Sequence, residues 1–224
     1  MSEKKINYAV DLVLCIDCTG SMYGVLDNVK ANAMSFANDL KNTLGKQQKQ
    51  IDQLRVKVIA YRDYYCDGDM AMNETAFFEL PKEEDTFNSF VQGLEPSGGG
   101  DEPESGLEAL ALAMNADWTK EGKRQRHVIV VWTDASAHPL DVAKAKPSIY
   151  PTEIAKDFDE LSDAWDGQNL SKSTKRLVIF APDAYPWTDI ENSWENTIQH
   201  TARAGAGLAD VDYEVILNVI ANSI

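Results

Sequence analysis

Oxygen-bearing side chains alternate along a short segment near the start of the chain. Asp17, Thr19 and Ser21 follow a mostly apolar run, residues 10–16, which is typical of a buried strand. Side chains at alternate positions project together, and Gly20 lets the chain turn sharply after the strand. A carboxylate and two hydroxyls that converge on one point suit a hard divalent cation such as Mg²⁺. The segment therefore predicts a metal site at the carboxyl end of this strand.

Two later segments carry acids that could reach the same point. A continuous apolar run at 127–132 is followed by Asp134, and a glycine-rich loop at 97–100 is followed by further acids. Open α/β sheets bind their ligands at the carboxyl ends of the strands, where the strand order reverses. We therefore expect Asp134 and the glycine-rich loop to lie in the crevice beside Asp17.

Apolar periodicity predicts the elements that position these residues. Steps of three and four indicate one long helix from Met22 to Leu44, followed by a loop at 46–53 and a strand at 55–61. A strand at 75–80 follows too closely for a helical crossover, so these two strands are predicted to pair antiparallel at a sheet edge. Five further helices are predicted: one at 86–94, one that begins after Pro103, one capped by Thr152, one at 189–196 and one capped by Asp210. Three further strands are predicted at 127–132, 176–181 and 197–201.

The alternation of strands and helices predicts the fold class. It indicates an α/β domain of three layers, Rossmann-like and doubly wound, with a mostly parallel sheet of about six strands. One antiparallel edge strand and helices on both faces complete the predicted architecture. The 224 residues are expected to form a single domain, 1–224.

Charge and composition argue against several classes of function. The chain has 21 Lys and Arg against 36 Asp and Glu, and the formal net charge of −15 disfavours nucleic acid as a partner. No apolar run has the length of a membrane span, and the N-terminus lacks an apolar signal core. Cys15, Cys18 and Cys66 are too few for a disulfide framework, and Cys15 is predicted to be plain core. We expect a cytoplasmic protein without membrane or nucleic-acid partners, and the composition makes no prediction of its oligomeric state.

Together, these segments resemble the von Willebrand factor type A domain, also called the integrin I domain. The residues that carry the resemblance are Asp17, Thr19, Ser21, the loop at 97–104, and Thr133 with Asp134. The resemblance implies a metal-ion-dependent adhesion site, where a partner protein supplies an Asp or Glu to the bound cation. Mg²⁺ is the implied ion, with Mn²⁺ or Ca²⁺ as alternatives. The expected protein is a binding module and not an enzyme.

The acidic loop departs from the adhesive members of the family, which carry a threonine there. This loop resembles the acidic segment of integrin β-subunit I-like domains, in which a glutamate binds the metal. Glu104 occupies the matching position and Asp101 is the other candidate ligand, and spacing alone does not choose between them. Three segments resemble an intracellular branch of the family found in microbes and in some eukaryotic kinase-linked proteins: Tyr-Arg-Asp-Tyr at 61–64, the loop at 98–104 and the segment at 134–138.

Two other functions compete with the binding module. A phosphoryl-transfer enzyme of the haloacid dehalogenase type would use Asp17 as its nucleophile, but that family requires Asp-x-Asp and Thr19 stands at the third position. A scaffold domain with an unused metal site is the other alternative. Arg62 and Asp63 could contact a partner, support the metal site from behind, or form a structural ion pair. His138 is predicted to be an ordinary exposed loop residue, with a place on the rim of the site as the alternative.

Overall fold

A sheet of seven strands forms the centre of the computed structural model, which describes residues 6–33, 35–100, 102–122, 124–167, 170–201 and 212–224. In chain order the strands are β1 (Ile6–Asp17), β2 (Lys49–Tyr61), β3 (Met72–Glu74), β4 (Phe78–Leu80), β5 (Gln125–Trp132), β6 (Lys175–Ala181) and β7 (Thr197–Thr201). Strands β3 and β4 both pair antiparallel with β2, and the other pairings are parallel. The predicted α/β fold class with its antiparallel edge is therefore confirmed.

The strand order explains where a ligand site can form. The strands lie in the order β3-β2-β1-β5-β6-β7, with β4 also paired to β2. The chain moves from β1 to β2 on one side and later returns to β5 on the other side, so the order reverses between β1 and β5. A crevice opens at such a point beyond the carboxyl ends of the two strands. Asp17 ends β1, and Asp134 follows β5 by two residues.

Helices cover both faces of the sheet. One face carries α1 (Tyr23–Ala33), α2 (Phe36–Lys46), α3 (Glu84–Gln92) and α7 (Tyr213–Ser223), and the other carries α4 (Gly106–Met114), α5 (Phe158–Asp166) and α6 (Trp187–Ser193). Alternate residues of β1 face the two layers, so Leu12 packs on the first side while Val13 and Cys15 pack on the second. Cys15 is fully buried core, as predicted. In the described residues, no helix combines the length and apolar character that a membrane crossing requires.

The predicted long helix from Met22 to Leu44 is wrong. A short 3₁₀ turn, Gly20–Met22, leads into α1, and a second helix, α2, begins at Phe36. The Ser35 amide donates to the carbonyl of Asn32, three residues back, which is the bonding of a tight turn. Apolar spacing continues across both helices, so periodicity alone cannot distinguish one helix from two.

Two strand predictions also differ from the structure. The predicted loop at 46–53 is wrong in its second half, because β2 already begins at Lys49, where it pairs with Ile6 of β1. The predicted strand at 75–80 is correct only in its second half, where β4 spans Phe78–Leu80; a separate short strand, β3, ends at Glu74, just before Thr75. The Thr75 side-chain oxygen accepts a hydrogen bond from the Val58 amide at 3.0 Å, in place of a backbone carbonyl.

The two predicted helix caps have different outcomes. Thr152 is not a cap, because α5 begins only at Phe158, and the side chain of Asp157 accepts a hydrogen bond from the Glu160 amide. The loop before α5 is therefore longer than predicted. Asp210 lies outside the described residues, and α7 is capped by Asp212, which accepts a hydrogen bond from the Glu214 amide.

Candidate metal centre

Asp17, the last residue of β1, has a fully buried side chain. Its Oδ1 accepts hydrogen bonds from the Thr19 amide at 2.9 Å and from Thr19 Oγ1 at 2.7 Å, and its Oδ2 accepts one from Thr133 Oγ1 at 2.7 Å. Burial raises the pKa of Asp17 to about 6; the hydrogen bonds lower it, and the charge of Asp134 raises it further. The carboxylate is thus fixed in a setting that disfavours its charge, and a nearby cation would relieve this.

Ser21 and Asp134 join the ends of β1 and β5. Ser21 Oγ donates a hydrogen bond to Asp134 Oδ1 at 2.9 Å, and it lies 3.3 Å from Thr19 Oγ1. Asp134 is almost fully buried, and burial raises its pKa above the usual value. Its Oδ2 is buried with no hydrogen-bond partner among the described residues. A buried carboxylate oxygen without a hydrogen-bond partner destabilises the folded protein unless a ligand binds it.

Glu104 comes close to Thr19 through the glycine-rich loop. Gly99 has a positive φ of 70°, and a β-carbon there would stand 2.6 Å from Glu104 Oε1 and 2.9 Å from Thr19 Cγ2. The backbone of Glu104 is fixed by the loop after β5: its amide donates to the Ser136 carbonyl at 3.0 Å, and its carbonyl accepts from the His138 amide at 2.9 Å. Only glycine fits at position 99 between these side chains.

These side chains surround a cleft of about 350 Å³ at the carboxyl edge of the sheet. The cleft is lined by Thr19, Gly20, Ser21, Gly98, Gly99, Gly100, Glu102, Glu104, Asp134 and Ala135. The exposed Glu102 stands on its rim, where its Oε1 accepts a hydrogen bond from the Ser136 amide at 3.1 Å. All the donors that face the cleft are hard oxygen atoms, as Mg²⁺ or Ca²⁺ requires.

The structure brings five of the six predicted ligand residues together. Thr19, Ser21, Glu104 and Asp134 line the cleft, Asp17 is hydrogen-bonded directly behind Thr19, and Asp101 lies outside the described residues. No group of three or more His, Cys, Asp or Glu side chains in the described part of the chain is arranged to hold a metal. Two of the candidate ligands are hydroxyls. Neutral hydroxyls and buried carboxylate oxygens are a donor set that fits a divalent cation.

A model of the von Willebrand factor type A domain matches residues 12–136, more than half of the chain. The chain belongs to this family. The matched range contains every residue of the candidate centre, from Asp17 at the end of β1 to Asp134 after β5.

Two larger proteins contain a region that is similar in sequence to this chain. The alpha-protein kinase vwkA of Dictyostelium discoideum is 27% identical over 157 residues, 69% of this chain and 23% of that protein. The ariadne-like RING finger protein R811 of Acanthamoeba polyphaga mimivirus is 30% identical over 169 residues, 72% of this chain and 15% of that protein. The chain thus spans less than a quarter of either relative.

Two solved pilus proteins share the fold at low sequence identity. The vWF domain of the type V pili tip protein Mfa5 from Porphyromonas gingivalis has a TM-score of 0.54 at 14% identity, with 96% of each chain covered. The pilus adhesin SpaC from Lactobacillus rhamnosus GG has a TM-score of 0.58 at 11% identity, covering 96% of this chain and 30% of SpaC.

Two contributors to the centre of this type A domain were not among the predicted ligands, although one of them carries part of the family resemblance. Thr133 donates to Asp17, and the available signal was its position directly before Asp134 at the end of a buried strand. Asp67 accepts hydrogen bonds from the Gly99 amide at 3.2 and 3.0 Å. Nothing in its polar, aspartate-rich segment singles it out, since the contact spans 32 positions of the chain.

His138 is a further correction, because it is buried and not an exposed loop residue. Its Nε2 lies 3.4 Å from Oδ1 of Asp63, which is also buried. Burial disfavours the charge of Asp63, but contacts from His138, the Tyr65 amide and Cys66 outweigh it and hold its pKa below the usual value. The polar residues after β2 and after β5 therefore meet through Asp63 and His138.

Proposed function

We propose that this type A domain is a protein-interaction module that binds an Asp or Glu of a partner protein through a divalent cation in the cleft. Thr19, Ser21 and Asp134 would hold the ion, with Asp17 behind them and Glu104 beside them. One observation carries the proposal: Ser21 Oγ meets Asp134 Oδ1 at 2.9 Å, and Asp134 Oδ2 is buried with no hydrogen-bond partner in the described part of the chain. Membership of the family supports the interaction role.

The proposed ion is Mg²⁺, with Mn²⁺ and Ca²⁺ as alternatives. Mg²⁺ takes about six oxygen ligands and keeps several waters, one of which a partner carboxylate can replace. The hydroxyls of Thr19 and Ser21 are neutral and leave the charge of the ion available to that carboxylate. Asp101 stays a candidate ligand beside Glu104. The proposal includes a reducing cytoplasmic compartment, in line with three cysteines none of which forms a disulfide.

Exposed apolar side chains on segments bonded to the chain around the centre are consistent with a protein partner. Tyr23 is 67% exposed and follows Ser21 by two residues. Met70 is 59% exposed, and its backbone carbonyl accepts a hydrogen bond from Arg62, the residue that directly follows β2. Tyr185 is 40% exposed, and its carbonyl accepts from the Ala137 amide. Aromatic and methionine side chains commonly anchor protein interfaces. These exposed side chains are candidate apolar contacts for a partner whose acid enters the cleft.

The enzymatic alternative fits the geometry less well. A nucleophilic Asp17 would have to reach a phosphorus atom, but its side chain is fully buried and both oxygens accept hydrogen bonds. Thr19 occupies the position at which the rival family places its second acid. Phosphatase turnover that disappears in Asp17→Asn would contradict the proposed binding role.

Calorimetric titration with Mg²⁺, Mn²⁺ and Ca²⁺ tests the metal part of the proposal. We expect the wild-type protein to bind at least one of the ions and Asp17→Ala to bind none. Asp52→Ala is the matched control, since Asp52 is an exposed aspartate at the other end of the sheet, on β2. A wild-type protein that binds none of the three ions would favour the scaffold alternative.

Selection from a displayed library of short random peptides tests the partner part. The library is bound to the immobilised domain in Mg²⁺ and eluted with EDTA. We expect the eluted peptides to share an Asp or Glu whose amidation abolishes binding. Peptides that elute with EDTA but need no carboxylate would contradict the proposed mode of recognition.

A further inference from the structure

The segment directly after β2 holds the glycine-rich loop of the cleft from behind. Arg62 is 9% exposed, so its guanidinium is not available for a partner. The guanidinium donates to the carbonyls of Glu95 at 2.6 Å, Ser97 at 2.8 Å and Met70 at 3.0 Å. Two of these three carbonyls belong to the chain that enters the glycine-rich loop. The rigid fork of an arginine fixes such carbonyls relative to one another.

Asp67 holds the same loop two residues further along, at Gly99. Its two carboxylate oxygens accept from the Gly99 amide at 3.2 and 3.0 Å, and its Oδ2 also accepts from the Asp63 amide at 3.0 Å. A β-carbon on Gly98 would stand 2.0 Å from Asp67 Oδ1, and Gly98 has a positive φ of 74°. The carboxylate therefore fits against the loop only because residue 98 is glycine.

The glycine-rich loop in turn contacts the residues that face the cation position. The Ser97 amide donates to the Cys18 carbonyl at 2.9 Å, and the Gly20 amide donates to the Gly98 carbonyl at 3.2 Å. These two bonds flank Thr19. Gly99 itself separates Thr19 from Glu104 with no room for a side chain. A shift of the loop would therefore move both cleft-lining side chains.

We propose that Arg62 and Asp67 are positioning residues of the metal centre, which hold the loop at 97–99 so that Thr19 and Glu104 meet the cation together. The inference rests on the proposed function, because it concerns the affinity of that same cation site. The inference also assigns a role to Arg62 of the Tyr-Arg-Asp-Tyr segment. Arg62 supports the centre from behind, and its three hydrogen bonds go to backbone carbonyls.

Variants of Asp67 separate positioning from general structural support. We expect Asp67→Ala to weaken Mg²⁺ binding by roughly 10- to 100-fold, the usual effect of removing a residue that orients metal ligands. Asp67→Asn keeps one carbonyl acceptor for the Gly99 amide and should recover part of the affinity. Asp69→Ala is the control, an exposed acid two residues away, and should leave the affinity unchanged. A role limited to folding would lower the unfolding temperature but leave the Mg²⁺ affinity of the folded protein unchanged.

A metal-free measurement reports on the loop itself. In EDTA, hydrogen exchange at the Gly99 amide should be at least tenfold faster in Asp67→Ala than in the wild type or in Asp69→Ala. Gly98→Ala tests the same contact from the other side, because its new β-carbon collides with the Asp67 carboxylate. It should also speed exchange at residue 99 and weaken Mg²⁺ binding, so the test does not depend on one variant.

The outcomes distinguish the two proposals. Mg²⁺ binding in the wild type with unchanged affinity in folded Asp67→Ala and Gly98→Ala would overturn this inference and leave the proposed function standing. A wild-type protein that binds no Mg²⁺, Mn²⁺ or Ca²⁺ would overturn both. Weakened binding together with faster exchange at Gly99 supports the positioning role.

Discussion

Asp17→Asn should stabilise the metal-free domain at neutral pH, although it removes a residue of the candidate centre. Burial raises the pKa of Asp17 from 3.8 to about 6, and a shift of about 2 units corresponds to about 3 kcal/mol of unfavourable charge burial. The side chain is fully buried, so solvent does not screen this cost. An Asn keeps the acceptor for the Thr19 amide but loses part of the other two bonds, at about 1 kcal/mol each. The expected net gain is about 1 to 2 kcal/mol.

The pH dependence of this gain has a definite sign. The pKa of Asp17 is higher in the folded domain than in the unfolded chain, so folding favours the protonated acid. This contribution to stability is fully present below about pH 4 and is lost as the pH rises to about 6. Asn carries no charge at any pH. The difference between the variant and the wild type should therefore be small at about pH 4, grow up to about pH 6 and stay constant above it.

Thermal unfolding in EDTA measures the effect, which corresponds to roughly 2 to 8 °C for a chain of this size. Excess Mg²⁺ should reverse the order, because an ion at about 100 times its dissociation constant stabilises only the wild type, by about 2.7 kcal/mol. Asp11→Asn is the matched control. Asp11 is also a buried aspartate of β1, but Arg55 pairs with it at 2.6 Å, so the same substitution there should destabilise. An Asp17→Asn protein that unfolds below the wild type in EDTA at about pH 7.5 would refute the reasoning.

Three further predictions follow from individual contacts. Gly99→Ala should weaken Mg²⁺ binding at least tenfold in calorimetry, because its β-carbon would stand 2.6 Å from Glu104 Oε1. Asp157→Ala should lower the free energy of unfolding by about 1 kcal/mol, while Thr152→Ala changes it by less than about 0.5 kcal/mol in denaturant titrations. Burial raises the pKa of Glu108 to about 7, and the Tyr150 hydroxyl donates a hydrogen bond to its carboxylate. Tyr150→Phe removes this donor and should lower the free energy of unfolding by about 1 to 3 kcal/mol. The loss should be larger at pH 8, where Glu108 is charged, than at pH 6.

The central strands were predictable because burial on both faces leaves an unbroken apolar run. This holds for β1, β5 and β6, whose predicted and observed positions agree within a few residues. The start of β2 was not predictable, because its backbone pairs with β1 while its side chains stay partly exposed and polar. The cap of α5 was not predictable either, because threonine and aspartate both cap helices and the sequence offers Thr152 as well as Asp157. Only the path of the loop places Asp157 at the first turn.

In the candidate centre, too, residues on strands were predictable and residues that act across loops were not. Residues that project from strand ends, such as Asp17 and Asp134, lie where the pattern put them, because the strands fix their positions. Side chains that act across loops carry no periodic signal. Arg62 is part of a recognisable motif, but its role depends on three carbonyls that are 8 to 35 positions away in the chain. Such contacts exist only once the fold has brought the loops together.

In the proposed function, the acidity of the centre would set a balance between holding the ion and binding the partner. The carboxylates of Glu104 and Asp134 line the cleft, and Asp17 lies behind Thr19, so a partner carboxylate would approach a site that already carries negative charge. Replacing Glu104 by the threonine of adhesive family members removes one of these charges. Glu104→Thr should therefore bind Mg²⁺ more weakly but, once loaded, bind an acidic peptide more tightly. Two calorimetric titrations, one with the ion and one with the peptide in saturating ion, measure the two changes separately. A loaded variant that binds the peptide no more tightly would show that the charge of Glu104 does not limit partner affinity.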